Sequence, residues 1–249
     1  NVKQLIDDGI SMLGPDSGEQ ACGEVGLGRM LEAEALLELV NAHFTPKLLL
    51  GKRILITAGA TLEMIDPVRG ITNLSSGKMG YAIAQVAADM GAEVTLVSGI
   101  TTLSAPTNAV TIKAENAQTM YEAVMSSILK QDIFIAVAAV ADYRPATKHD
   151  EKIKKSTASL TIELTPNKDI LADVASLPKP PFCVGFAAET EHLLEYAEAK
   201  REAKKLPLIV ANLANEAMGS EENSVTLLDN NGAHVLPRAP KSEDAKLLL

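Results

Sequence analysis

Three stretches of this chain put hydroxyls, glycines and cations where phosphate chemistry could occur. The first is Ser75-Ser76-Gly77-Lys78-Met79-Gly80, which runs directly into an Ala-rich helical pattern. Ser75, Ser76, Gly77 and Gly80 offer hydroxyls and unobstructed backbone N–H groups at a helix N-terminus, an end that attracts phosphate through its orphan donors and dipole. The segment matches neither GxxxxGK followed by Ser or Thr nor GxGxxG, so alone it serves a helix cap as readily as a phosphate. The second is Asp142-Tyr143-Arg144 at the end of an apolar run, followed by Lys152, Lys154 and Lys155. A bare lysine run is usually a solvated loop. At a strand's carboxyl end, however, an Asp can hold Mg²⁺ or a ribose, and a lysine can close over a triphosphate and neutralise a departing pyrophosphate. The third is Gly185-Phe186-Ala187-Ala188-Glu189-Thr190, followed by Lys200 and Lys204, four apart on one helix face. Phe186 suits either the core or the flank of a nucleobase, and Asn212 is equally ambiguous alone. His43, His149, His192 and His234 show neither ligand spacing nor a triad partner.

These residues need a scaffold, and the hydrophobic pattern supplies one from residue 51 onward. RILITAG reads as a buried strand, YAIAQVAADMG as a helix ending on Gly91, and AEVTLVSG as a second strand, which together make a βαβ unit. NAQTMYEAVMSSI reads as a helix with an Asn cap, and DIFIAVAAVAD as a strand buried on both faces. Strands at SLTIELT, FCVGFAAE and LPLIVANL alternate with helices at KDILADVASL and HLLEYAEAKREAKK. The alternation predicts an α/β, Rossmann-like, mostly parallel sheet with helices on both faces. In such sheets ligands bind beyond the carboxyl ends of the strands, which is where Gly59 and the three stretches lie. Near the C-terminus SVTLLDNNGAHVLP predicts a β-hairpin with a type I′ turn at Asn231-Gly232, at the sheet edge or a dimer contact. Residues 1–44 differ: GISMLGPDSGEQACGEVGLGRM is Gly-rich and irregular, EAEALLELVNAHF is helical, and residues 45–50 read as a linker.

Composition narrows the partners. With 23 basic and 32 acidic residues the chain carries a net charge of −9, which excludes a broad electrostatic footprint for nucleic acid. An anionic ligand must be held by local features. The two cysteines, Cys22 and Cys183, form neither a disulfide framework nor a metal pattern. No secretory signal pattern and no apolar run long enough to span a membrane occurs, so the expected location is the cytoplasm.

Taken together, ITAGATLEMIDPVRGITNLSSGKMG, AAVADYRPA, EKIKK, VGFAAET and the KREAKK helix resemble the bacterial phosphopantothenoylcysteine synthetase family, in order and spacing, over about residues 51–237. The resemblance implies CTP-dependent condensation of 4′-phosphopantothenate with L-cysteine through an acyl-cytidylate, with Mg²⁺, in a homodimer whose segment around Asn73 crosses to the partner. By position it implies that Asn73 serves the acyl-cytidylate step and that Lys152 belongs to a flap over the site. Gly59, Ser75, Ser76, Gly77 and Gly80 would cradle phosphates. Ala136, Val137, Ala138 and Asp142 would line the cytidine and metal region, with Asp142 as the metal residue. Lys168, Asp169, Ile170, Leu171, Phe186, Lys200 and Lys204 would complete the nucleotide site, while Asn73, Ala139 and Asn212 would meet the substrate.

The first 44 residues resemble the tail of phosphopantothenoylcysteine decarboxylase, which implies residues 51–249 as a ligase domain following a remnant of a flavin enzyme. Cys22 would match a proton-donating cysteine, although ACGE stands where that family shows ACGD. The flavin-binding part would lie upstream of residue 1, so neither bound FMN nor decarboxylation is expected, and KLLL implies a terminal helix cut short. Two other classes stay open on the residues themselves. A nicotinamide-dependent oxidoreductase would share the βαβ pattern but lacks GxGxxG, and a nucleotide-binding regulatory subunit would keep the cradle without chemistry.

Overall fold

The computed structural model describes residues 1–19, 23–155, 159–213 and 222–249. Cys22 lies outside the described residues. The chain divides into two compact units, Asn1–Leu48 and Leu49–Leu249. The first holds helix α1 (Val2–Asp7), an antiparallel ribbon of β1 (Asp16–Glu19) and β2 (Val25–Arg29), and helix α2 (Ala33–Phe44). The helix falls where the apolar periodicity predicts it, whereas the ribbon occupies the Gly-rich stretch that the pattern reads as irregular. None of the residues of α1 or α2 is buried.

The second unit is built on one eight-stranded sheet. Its strands are β3 (Arg53–Ala58), β6 (Glu93–Ser98), β7 (Ala109–Lys113), β8 (Ile133–Ala136), β11 (Phe182–Glu189), β12 (Leu208–Leu213), β14 (Thr226–Asp229) and β15 (Gly232–Val235). They lie in the order β15-β14-β12-β11-β8-β3-β6-β7. The six from β12 to β7 are parallel, and β14 and β15 join antiparallel. Numbered along the chain, the parallel strands run 3-2-1-4-5-6, the doubly wound order whose switch point lies between the first strand and the fourth. That crevice opens here between the ends of β3 and β8. Two small ribbons stand beside the sheet: β4 (Leu62–Met64) with β5 (Gly70–Thr72), and β9 (Tyr143–Pro145) with β10 (Leu164–Pro166). A short pair, β13 (Glu222–Asn223) with β16 (Ala239–Pro240), precedes the last helix.

Strand β3 shows why the sheet is sandwiched. Ile54 and Ile56 face one apolar cluster and Leu55 faces another, and all three are fully buried. The first cluster includes Tyr81, Ile83, Ala84 and Ala87 of helix α3 (Lys78–Asp89) and Ala245 of helix α7 (Lys241–Leu248). The second includes Met120 and Val124 of α4 (Ala117–Ser127), Ile170 and Val174 of α5 (Ile170–Ala175) and Ala197 of α6 (Leu193–Ala203). Each such buried Ile or Leu contributes roughly 1.5–3 kcal/mol, so a strand apolar at every position but Arg53 and Thr57 is held between helices on both faces. Helix α4 starts where Asn116 accepts from the Thr119 amide at 2.9 Å and Thr119 Oγ1 accepts from the Asn116 amide at 3.2 Å. Buried Glu63 adds an acceptor for the Ala117 amide at 2.8 Å, which places a carboxylate at the positive end of that helix.

Three expectations need correction. Strand β7 went unread because AVTIK is short and lies at the sheet edge, half exposed, without a long apolar run. The stretch SLTIELT does not enter the main sheet: only Leu164–Pro166 is a strand, and it pairs with β9 in the side ribbon. The C-terminal hairpin is at the edge as expected, but Asp229 pairs with Gly232, so Asn230-Asn231 forms the loop. Neither asparagine has the positive φ of a type I′ turn; Gly232 takes it, with φ 120°.

Candidate functional site

Three glycines build the switch point. Gly59 leaves β3 with φ 80°, and a side chain there would meet the Ile100 carbonyl at 3.0 Å. The chain then makes the excursion of residues 60–76, which contains the β4–β5 ribbon, and returns at Gly77, the N-cap of α3, with φ 81°. A Cβ on Gly77 would stand 3.3 Å from both Cα and N of Gly59, so the two turns lie against one another. A Cβ on Gly80 would stand 2.5 Å from that of Ala58, which is how closely α3 rides on β3. Tight turn, close approach and helix–strand packing are the three tasks of the glycines in a dinucleotide fingerprint. Here they fall to Gly59, Gly77 and Gly80, with the seventeen residues 60–76 between the first and the second where the fingerprint has one. The contiguous motif is absent from the sequence because it is split.

Side chains fix the loop that faces this turn. Thr57 Oγ1 accepts from the Ala138 amide at 3.3 Å and Thr61 Oγ1 from the Ala141 amide at 2.9 Å, so both buried hydroxyls of the β3 end hold the segment that leaves β8. The Ala139 amide donates to the Gly59 carbonyl at 2.9 Å, and Asn73 Nδ2 donates to the Ala139 carbonyl at 3.1 Å. Thr101 Oγ1 donates to the Ser76 carbonyl at 2.8 Å, which pins the serine turn from a third element. The expected strand DIFIAVAAVAD is therefore regular only as far as Ala136. Beyond it the backbone is bonded to β3 and to Asn167, whose Nδ2 donates to the Ala141 carbonyl at 2.8 Å and whose amide donates to that of Asp142 at 2.8 Å.

The result is a cleft of about 320 Å³ lined on one side by Gly59 and Ser75 to Gly80 and on the other by Val137 to Val140, Phe186 and Asn212. A second cleft of about 270 Å³ shares Ala138, Asp142, Phe186 and Lys200 with it and continues past Ala136 to Lys168, Asp169, Ile170, Leu171 and Lys204. Of the residues expected at the site, only Asn73 and Lys152 line neither, and Asn73 sits one residue from Leu74, which does. Lys152 is exposed, next to Ile153. Lys78, Lys241 and Asn167 also line the clefts without having been singled out as site residues from the sequence. Asn167 was readable in part, as the neighbour of Lys168.

Charge in the clefts is mostly positive although the chain is acidic. Lys200 Nζ donates to the Phe186 carbonyl at 3.0 Å, and burial, then neighbouring Lys204, pushes its pKa down. Lys204 reaches Asp169 at 2.6 Å. Burial works against the Asp169 carboxylate, yet Lys204 and the Ala172 amide that it caps outweigh this and lower its pKa. Lys168 lies 4.3 Å over the Tyr121 ring. Asp142 is exposed where the two clefts meet. Among the described residues no cluster of three or more metal-ligating side chains forms. One exposed carboxylate beside a helix N-terminus is a set that would fit Mg²⁺ arriving on a nucleotide, because that ion commonly takes one or two carboxylates together with substrate phosphates.

The segment bearing Lys152 is rooted in the β4–β5 turn. The fully buried Asp66 carboxylate accepts from the amides of Val68 at 2.9 Å, Arg69 at 2.9 Å and Ile153 at 3.1 Å, and pairs with the Arg69 guanidinium. Arg69 in turn donates to the Ile153 carbonyl at 2.8 Å. Arg69 foremost holds the Asp66 carboxyl well below the usual carboxylate range. The stabilisation is thus present above the unfolded value of about 4 and lost as pH falls through the lowered folded one. Asp66→Asn turns one acceptor into a donor facing other donors, so trypsin is expected to cleave after Lys152, Lys154 and Lys155 several-fold faster than in the wild type. Equal cleavage rates would show that Asp66 does not anchor this segment.

The profile of the DNA/pantothenate metabolism flavoprotein C-terminal domain matches residues 49–249. The coenzyme A biosynthesis bifunctional protein CoaBC of Vibrio vulnificus is 50% identical over 248 residues, 97% of this chain and 62% of that protein. CoaBC of Escherichia coli is 46% identical over 257 residues, 100% of this chain and 63% of that protein. The chain thus spans less than two thirds of the length of these relatives. Among solved structures, the C-terminal domain of a CoaBC protein is 45% identical with a TM-score of 0.70, covering 80% of this chain and 93% of that one. The match over most of the chain, on the fold that carries the split glycine fingerprint, means that this chain belongs to the DNA/pantothenate metabolism flavoprotein C-terminal domain family.

Proposed function

We propose that the second unit joins 4′-phosphopantothenate to L-cysteine at the expense of CTP, as one half of a coenzyme A biosynthesis protein. The observation that carries the reading is the split fingerprint: Gly59, Gly77 and Gly80 bring the N-terminus of α3 to the switch point, in a cleft edged by lysines. The bifunctional CoaBC name of relatives near 50% identity supports the pathway. A carboxylate resists an amine because it is anionic and resonance-stabilised. Its attack on the α-phosphorus of CTP breaks the α–β phosphoanhydride, releases pyrophosphate and leaves an acyl-cytidylate. The cysteine amine then attacks the acyl carbon, losing a proton as CMP departs.

In this reading the amides and hydroxyls from Ser75 to Gly80 hold phosphate oxygens, and the second cleft takes the nucleoside. Lys200 and Lys204 add positive charge, and Asn73 fixes the Ala139 backbone against the acyl group. Bound Mg²⁺ would neutralise phosphate charge, with Asp142 as its protein contact. Lys152 would act only after its segment closes over the cleft, with Ile153 as the fixed end. Placement and charge neutralisation supply most of the catalysis. Exposed Val68 and Leu74, on the excursion beside the cleft, favour pairing of two copies there. A cytoplasmic location suits the substrates, and among the described residues no helix is long and apolar enough to cross a membrane.

The strand order and glycines also suit nicotinamide dinucleotides. That reading needs an acid after the second strand to bind a ribose. Here β6 ends at Ser98, the next residues are Gly99 and Ile100 rather than an acid, and the Ile100 amide donates back to the Ala60 carbonyl at 2.7 Å. The test is pyrophosphate release. It is expected only when CTP, phosphopantothenate and Mg²⁺ are present together, with the amide product forming on addition of cysteine. Release without phosphopantothenate, or none at all, would overturn the ligase reading.

A further inference from the structure

Asn167 stands on the wall of the second cleft, between the end of β10 and Asp169, the N-cap of α5. Its backbone amide is committed, donating to the Asp142 carbonyl at 2.8 Å. Its side chain is half-buried and held at both ends. Arg144 Nη1 donates to Asn167 Oδ1 at 2.9 Å, and Asn167 Nδ2 donates to the Ala141 carbonyl at 2.8 Å. A guanidinium only donates and a carbonyl only accepts, so both contacts dictate the same orientation of the amide, with its oxygen toward Arg144 and its nitrogen toward Ala141. The same Nη1 donates to the Pro166 carbonyl at 2.9 Å, and among the described residues no carboxylate pairs with Arg144. Its guanidinium serves a main-chain carbonyl and this one amide. The second hydrogen on Asn167 Nδ2 is left over, since no other protein group among the described residues takes it. On the wall of a cleft, a leftover hydrogen on an amide that cannot turn over is a fixed donor, and a donor left without an acceptor is costly.

We propose that Asn167 is a nucleoside-binding residue of the second cleft, donating from Nδ2 to an oxygen of the ligand, and that Arg144 is the positioning residue that keeps its amide from turning over. This rests on the reading in which the second cleft takes the nucleoside of CTP. The ligand chemistry is an acceptor oxygen, which a cytidine nucleotide can supply from the ring carbonyl of the base or from the ribose. An exocyclic amine in the same place would meet a donor and be rejected, so the pair selects as well as binds.

The test measures by calorimetry, with Mg²⁺, the binding of CTP, of 2-thio-CTP and of 2′-deoxy-CTP to the wild-type chain and to Asn167→Ala, Arg144→Met and Arg144→Lys. The first analogue replaces the ring carbonyl oxygen by sulfur, a weak acceptor, and the second removes an oxygen of the ribose. A neutral hydrogen bond of ordinary strength predicts that one analogue binds the wild type more weakly than CTP by roughly three- to tenfold. Which analogue it is identifies the oxygen. In Asn167→Ala that penalty should vanish, because the donor is gone. Arg144→Met should shrink it, since the amide can then turn over, and Arg144→Lys, which keeps a donor for Oδ1, should restore it. Each penalty is a ratio within one variant, so a general loosening of the fold cancels. Equal binding of all three nucleotides by the wild type, or the same penalty in Asn167→Ala, overturns the proposal, and an undiminished penalty in Arg144→Met overturns the part given to Arg144. A wild type that shows the penalty yet releases no pyrophosphate would end the ligase reading and leave the Asn167 contact standing, whereas one without affinity for CTP would end both.

Discussion

Gly80→Ala is expected to lower kcat/KM for the nucleotide by about a hundredfold, the cost of misplacing reacting groups by about 1 Å. The added carbon would stand 2.5 Å from Ala58 Cβ and 3.2 Å from Ala58 Cα. Ala58 cannot yield: it is buried at the end of β3, a strand paired with β6 and β8 on its two sides. Helix α3 must retreat by about 1 Å to reach ordinary contact, and it carries the amides of the phosphate turn with it. Overpacking of this kind also costs roughly 1–3 kcal/mol of stability, so denaturation and circular dichroism must accompany the kinetics. A folded Gly80→Ala protein with wild-type kcat/KM would mean that the α3 N-terminus takes no part in binding.

Asn73→Asp should have the largest effect on turnover, a loss on the order of 10²–10³ of the kind that follows removal of one positioned donor from a site of developing charge. Asn73 Nδ2 donates to the Ala139 carbonyl at 3.1 Å, and the Ala139 amide is held by Gly59. A carboxylate at position 73 would face that carbonyl oxygen with no proton to offer, and it would place a negative charge beside the turn proposed to hold phosphate. Asn73 is exposed, so the stability change should stay within about 0.5 kcal/mol. Rapid-quench kinetics separate the two half-reactions. Unchanged rates of both would remove Asn73 from the mechanism.

How much of this was legible beforehand depended on whether a feature was local. Strand β3, with an apolar residue at nearly every position, and helix α3, with small residues at helical spacing, both declare themselves, and so does the Asn116 cap. Most of the expected site residues, though not Asn73 or Lys152, line the two clefts because they lie at or beyond the carboxyl ends of parallel strands, which the sheet delivers to one edge. The split fingerprint was illegible because the first glycine and the other two are brought together only by packing of Gly77 on Gly59. Lys241 was hidden for the same reason, since only the docking of α7 on α3 carries it to the cleft. The Asp66–Arg69 anchor joins residues more than eighty positions apart, and within DPVRG the two charges read as an ordinary turn. The hairpin register failed on a local signal, because Asn231-Gly232 suits a type I′ turn and the chain placed Gly232 one step further along.

The central claim, that the turn from Ser75 to Gly80 is where the nucleotide phosphates lie, is tested most directly by a crystal structure of the chain with CTP and Mg²⁺. It should show phosphate oxygens within hydrogen-bond distance of the Ser76 to Gly80 amides and the cytosine ring beyond Phe186, toward Ile170 and Leu171. A triphosphate bound elsewhere, with that turn facing only solvent, would contradict it.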